Sequence, residues 1–241
     1  SELLKCVNQI LSNLKFDYAF PIPFPLRNAR FLKEMRRFEP PPAPIIPNNL
    51  HKGLSSLSLS VIDPTELARQ MTLVAFAYFE AINPREWLSP ASASDGITKL
   101  SNDFNFISSF LIERILESED PAERAEVISK VVVLADNLLQ MKNLHHFMAC
   151  ICALNSAPIS RLTKTWKAFH KVKENSSKYY DLCQIGDMES NFHALRDVSQ
   201  LVPDTPMLPY LGLCLSDLTF ISDGNKFVNS SFSSPFLSLK D

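Results

Sequence analysis

The 241-residue sequence predicts an all-α fold, a helical bundle preceded by a proline-rich linker, and two observations carry that prediction. The first is a pair of matching helix starts, Asp63-Pro64-Thr65-Glu66 and Asp120-Pro121-Ala122-Glu123. Each offers a carboxylate to cap free N–H groups, a proline at the first helical position and a glutamate three residues beyond the cap. The second is the stretch Met141 to Trp166. There Leu144, Phe147, Met148, Ile151 and Cys152 share one helical face, while Ala149, Ala153 and Leu154 make the other faces apolar too. A helix apolar nearly all round belongs in an interior. Asn155, Ser156 and Pro158 stop it, because proline lacks the N–H donor and restricts its predecessor. Leu162, Trp166 and Phe169 then restart the helical period, which predicts a buried helical hairpin at the centre of the core.

Composition narrows the function classes. The chain is 46% apolar, so it can bury a sizeable core, and its net charge is -2 with a pI near 6.2. A broad phosphate-binding surface needs a basic excess, so nucleic acid is not an expected partner. No apolar run reaches the roughly 18 residues of a membrane span, and the first residues lack the basic region and cleavage site of a signal peptide. The expectation is a soluble, intracellular protein. The five cysteines are odd in number and scattered in apolar runs, as free buried thiols would be.

Taken in order, Leu3, Leu4, Val7, Ile10, Leu11 and Leu14 form one stripe, predicting an amphipathic helix over residues 1–16. Residues 17–60 read as a connector broken by prolines, with a short basic helix expected near Asn28 to Phe38 and a polyproline-like run from Pro40 to Pro47. The domain proper starts at the Asp63 cap, and Leu67, Met71, Val74, Ala75 and Tyr78 keep the period until Asn83 and Pro84 end it. After a polar insert, Ser89 to Gly96, the next helix carries Leu100, Phe104, Ile107, Leu111 and Ile115 on one side. The helix launched at Asp120 runs through Ile128, Val131, Val132, Ala135, Leu138 and Leu139 into the central stretch. Weaker helical pieces follow around Tyr179 to Cys183 and around Phe192, Leu195, Val198 and Leu201.

Chemical motifs are few. The five glycines form neither GxGxxG nor GK[ST], so no familiar nucleotide cradle is present. His145 and His146 are adjacent and point about 100 degrees apart on a helix, which suits core-edge packing better than joint metal ligation. No GxSxG elbow marks a hydrolase. Neither a cofactor nor a metal is expected.

Three separated segments resemble one family. ALNSAPISRLTKTW (153–166), DPTELARQMTL (63–73) with the later INPREWL, and PMLPYLGLCLSDLTFISDGN (206–225) are similar to motifs of the catalytic domain of Ras-family guanine-nucleotide exchange factors, the RasGEF domain. Phe104 and Asn105 match a further element. The resemblance implies an all-α catalytic domain over residues 61–225, a lead-in over 1–60 and a divergent tail over 226–241. It implies a Ras-, Rap- or Ral-type small GTPase as partner, and exchange without covalent chemistry. The protein would be cytoplasmic and recruited to the inner face of the plasma membrane through partners or other regions.

By the same resemblance, Tyr210 lines an apolar pocket for a switch II side chain, Phe192 stands on the opposite wall, and Leu100 falls near a third pocket position. Ser216 and Asp217 match a hydroxyl and Asp/Asn pair of the GTPase-binding surface. Thr219 and Asp223 are the expected catalytic positions, one against the magnesium-binding region of the GTPase and one competing for phosphate-loop contacts as a phosphate mimic. Asp223 is shorter than the family's usual glutamate. Family members continue past this point into a return arm, which KFVNSSFSSPFLSLKD does not resemble. Two expectations follow: an arm from Tyr210 to Asp223 that folds back or frays, and weak exchange. The alternative function is a weak or inactive interaction module of the same fold.

Overall fold

Residues 43, 45, 59, 62–83, 86–87, 95–200 and 206–224 are described by the structure, a computed structural model. The expected helices at 1–16 and 28–38, most of the connector, and the tail lie outside them. The helices are α1 (Pro64–Glu80), α2 (Asp95–Leu116), α3 (Pro121–Gln140), α4 (Leu144–Asn155), α5 (Ala157–Ser160), α6 (Thr163–Phe169), α7 (Lys173–Ile185), α8 (Glu189–Gln200) and α9 (Leu211–Gly224). Among the described residues the fold is all-α, and the extended pairing is a single parallel bridge between Asn143 and Leu208.

Both Asp-Pro helix starts are capped, each in its own way. Asp63 Oδ1 accepts from Thr65 N at 2.8 Å and Glu66 N at 3.2 Å, satisfying two donors that the first turn leaves open. The Glu66 carboxylate then turns inward, where it accepts from Ile45 N at 3.1 Å, Arg69 Nη1 at 3.2 Å and Gln70 Nε2 at 2.8 Å. At the second start Asp120 Oδ2 accepts from Glu123 N at 3.0 Å. Glu123 closes that cap through Ser118, whose hydroxyl donates to Glu123 and accepts from Asp120 N. A serine thus relays the reciprocal bond of a capping box.

The central helix is interior, as its sequence predicts. Leu144 through Ile151, Ala153 and Leu154 are all buried, and Phe147, Met148 and Ala149 have no exposed surface. α4 packs chiefly on α2 and α3, with α1 laid across α3.

The expected hairpin is corrected. Ser156 breaks the helix with ψ 148°, α5 makes one turn, and Leu162 turns the chain again at ψ 64°. These two bends send α6 onto α3 instead of back along α4. Arg124 Nε donates to Thr165 Oγ1 at 3.0 Å across that α3–α6 contact. Phe169 therefore takes the interior position, whereas Leu162 and Trp166 are half-buried at the margin of the core. The Trp166 indole N–H is satisfied by the Ile159 carbonyl at 2.9 Å.

Candidate functional site

The site grows from the corner between α3 and α4. Lys142 takes a left-handed conformation, φ 59°, and the fully buried Asn143 caps α4 by accepting from His146 N at 3.0 Å. Its amide nitrogen reaches Thr72 Oγ1 at 3.1 Å and His146 Nδ1 at 3.2 Å. The corner holds the segment that leads into α9: Leu208 N donates to Lys142 O, and Leu144 N donates to Leu208 O, both at 2.9 Å. Leu208 and Leu211 are buried with Ala75, Ile82, Ile97 and Leu100 in a small second core.

The two adjacent histidines are interior, not at the edge of the core; each is only 1% exposed. His145 ties α9 to α2, since its Nδ1 accepts from Leu211 N at 3.5 Å and its Nε2 pairs with the Leu100 carbonyl at 3.1 Å. One neutral tautomer, with the proton on Nε2, serves both bonds. Burial, reinforced by His146, lowers its pKa to about 4, so it is neutral at physiological pH. His146 diverges from it and meets Asp103 Oδ2 at 2.6 Å.

On this base stands an aromatic cluster. The Tyr210 ring centroid is 5.7 Å from Phe104, 5.8 Å from Phe192 and 6.4 Å from His145. Tyr210 is half-buried, and that burial raises the pKa of its phenol, keeping the hydroxyl neutral. Beside it lies a cleft of about 180 Å³ lined by Leu195, Met207, Tyr210 and Leu213 together with Arg196 and Asp217. Phe192 and Tyr210, the two aromatic residues expected on opposite walls of a pocket, have their rings in contact. Phe104 joins them, a role that its place in a sequence motif did not indicate.

Phe192 arrives by an unexpected backbone. The periodicity around Phe192, Leu195 and Val198 predicts a plain helix, but Ser190, Asn191 and Phe192 are left-handed, with φ of 51°, 57° and 58°. For residues with a Cβ this costs about 1–2 kcal/mol each. No glycine marks the turn, so local sequence carries no signal for it.

Leu100 has no exposed surface. It supports the start of α9 from within instead of lining a surface pocket, and its backbone carbonyl is the partner of His145. Ser216 and Asp217 are half-buried in the middle of α9, and Asp217 forms a bidentate pair with Arg196 at 2.6 and 2.8 Å. These bonds hold the Asp217 carboxyl below its usual range. Nothing local in the sequence marks Arg196, which lies 21 residues from its partner.

Thr219 and Asp223 lie farther along α9, in its exposed part. The Thr219 hydroxyl donates back to Leu215 O at 2.8 Å. The expectation of an arm that folds back or frays is corrected. α9 is about 21 Å long at 1.5 Å per residue, helical to Gly224, and its last six residues are exposed. Its lower turns are anchored by the burial of Leu211 and by the Arg196–Asp217 pair. Phe220 and Ile221, 69% and 60% exposed, extend apolar surface into solvent on the upper part.

Among the described residues no group of His, Cys, Asp or Glu is arranged to hold a metal, and no helix is long and apolar enough to cross a membrane.

Comparison with known proteins gives a consistent picture. The family profile of the RasGEF domain matches residues 66–234. The chain is 35% identical over 167 residues to Ras-specific guanine nucleotide-releasing factor RalGPS1 of Gallus gallus, covering 66% of this chain and 28% of that protein. It is 35% identical over 183 residues to RalGPS2 of Homo sapiens, covering 72% and 31% respectively. With Ras guanine nucleotide exchange factor A of Dictyostelium discoideum it shares 31% identity over 228 residues, or 87% of this chain and 37% of that protein. The chain thus spans roughly a third of the length of these curated relatives.

Proposed function

We propose that this chain, which belongs to the RasGEF domain family, promotes nucleotide release from a small GTPase of the Ras, Rap or Ral type. The observation that carries the reading is the pairing of Phe192 with Tyr210 at the root of a helix whose far end is exposed. A half-buried aromatic cluster beside an apolar cleft is suited to a projecting apolar or aromatic side chain, as an anchor residue of a partner requires. We assign that anchor to switch II of the GTPase. Leu100 contributes by holding the α9 start beneath the cleft, and Ser216 and Asp217 belong to the binding surface of the lower arm, Asp217 through its pair with Arg196.

The exposed part of α9 then acts at a distance from the anchor. Thr219 would stand against the magnesium-binding region, and Asp223 would offer a carboxylate to phosphate-loop groups that otherwise hold the nucleotide. No bond is made or broken in this scheme. The chain stabilises the nucleotide-free GTPase, and a thousandfold acceleration of release corresponds to about 4 kcal/mol. Similarity to proteins named as a guanine nucleotide-releasing factor and a guanine nucleotide exchange factor supports the same activity. We assign residues 61–225 to this domain, and we place the protein in the cytoplasm with recruitment to the inner membrane face by partners.

The test is release of fluorescent GDP from a panel of Ras, Rap and Ral GTPases with the 241-residue chain added. Acceleration of at least one GTPase is expected, and loss of that acceleration in Tyr210→Ala. Tight binding with unchanged release would identify a non-catalytic interaction module instead. Neither binding nor release on any member would overturn the reading.

A further inference from the structure

Phe192 reaches Tyr210 from a backbone that residues with a Cβ avoid, so something outside the turn must hold it. Arg196, one helical turn farther on, makes that connection. Its Nε donates to the Asn191 carbonyl at 2.9 Å, and Nη2 lies 3.4 Å from Asn191 Oδ1. The same guanidinium donates from Nη1 to Asp217 Oδ2 at 2.8 Å and from Nη2 to Asp217 Oδ1 at 2.6 Å. A planar fork whose donors lie in one rigid frame therefore joins two segments distant in sequence. An ammonium group, a point charge on a flexible stem, cannot make both sets of bonds in that geometry.

We propose that Arg196 is a positioning residue of the GTPase-binding surface, clasping the left-handed turn at Asn191 to Asp217 on α9 and so holding Phe192 against Tyr210 at the root of the arm. The proposal rests on the exchange-factor reading for its function, while the clasp itself is measurable without a GTPase. Both side chains are partly exposed, 29% for Arg196 and 38% for Asp217, and ion pairs in such settings add little to global stability. The effect is local geometry. Asp217 has both oxygens on Arg196 in the free chain, so it acts on the partner through the arrangement it helps to hold.

The 241-residue chain is compared with Arg196→Lys, Arg196→Ala and the near-isosteric Asp217→Asn by amide hydrogen exchange. Exchange should accelerate about tenfold or more at residues 191–196 and 211–217 together, with α4 unchanged, and Lys should behave like Ala. Parent-like exchange in Arg196→Lys, or loosening of one segment without the other, would overturn the clasp. A second measurement uses a GTPase that responds to the parent. Arg196→Ala should raise the GTPase concentration for half-maximal release about tenfold, but less than about twofold when Phe192→Ala is already present. Equal effects in both backgrounds would overturn positioning through Phe192. If the parent is silent on every GTPase, the exchange-factor reading fails, and the hydrogen-exchange pattern still decides the clasp.

Discussion

The Tyr210 ring lies over Gly212 so closely that a Cβ added at Gly212 would sit 2.6 Å from both the ring carbon Cζ and the hydroxyl oxygen. Real Cβ atoms do not approach that near, so any side chain at this position must push the ring aside. The glycine is needed for the close approach, and the ring it accommodates is the one that meets Phe104 and Phe192.

Gly212→Ala should therefore separate stability from binding. Alanine favours the helix and the displaced group is the far end of a side chain, so unfolding free energy should stay within about 1 kcal/mol of the parent. Affinity for a nucleotide-free GTPase should fall about tenfold, because the anchor pocket loses its shape. Calorimetric titration checks the second outcome and denaturant unfolding the first. Undiminished affinity would remove Tyr210 from the pocket.

Tyr210→Ala removes the ring itself. The residue is half-buried, so the stability cost should be about 1–2 kcal/mol, while GTPase binding should weaken by tenfold or more. Tyr210→Phe keeps the ring and should bind within about threefold of the parent, since the cleft is shaped by the aromatic surface. Surface plasmon resonance on the three proteins would separate these cases.

Phe147→Ala tests the core. The ring has no exposed surface and lies in the cluster that joins α4 to α2 and α3, so truncation should cost about 3–5 kcal/mol. Urea unfolding measures this, and a loss under about 1 kcal/mol would mean that α4 does not organise the fold.

His145 makes stability depend on pH in a definite direction. Its folded pKa of about 4 lies below the ordinary 6.5, so between those values the unfolded chain binds more protons than the folded one. Its contribution is intact above pH 6.5, falls as the pH drops through that window, and levels off below about pH 4. The full difference is about 3 kcal/mol at roughly 1.4 kcal/mol per unit. Unfolding free energies from pH 7.5 to 4.5 should fall less steeply in His145→Gln than in the parent. The groups around the imidazole are His146, Asp103, the Leu100 carbonyl and Leu211 N.

Local sequence determined the helix starts at Asp63 and Asp120, the break at Ser156 and Pro158, and the interior character of α4. Each arises from neighbours along the chain, through capping bonds, a missing N–H or a helical period. Resemblance to the family's motifs singled out Tyr210 and Phe192 together, and the fold sets their ring centroids 5.8 Å apart. Tertiary structure decided the rest. α6 packs on α3 because two bends turn it away from α4, and that choice leaves Trp166 at the margin and buries Phe169. Leu100 became a support because α9 starts directly above it, with His145 spanning the two. The left-handed turn before Phe192 has no glycine to announce it, and the Arg196 that grips it finds Asp217 only when α8 and α9 meet. Periodicity says which face of a helix is buried; it does not say which distant side chain waits there.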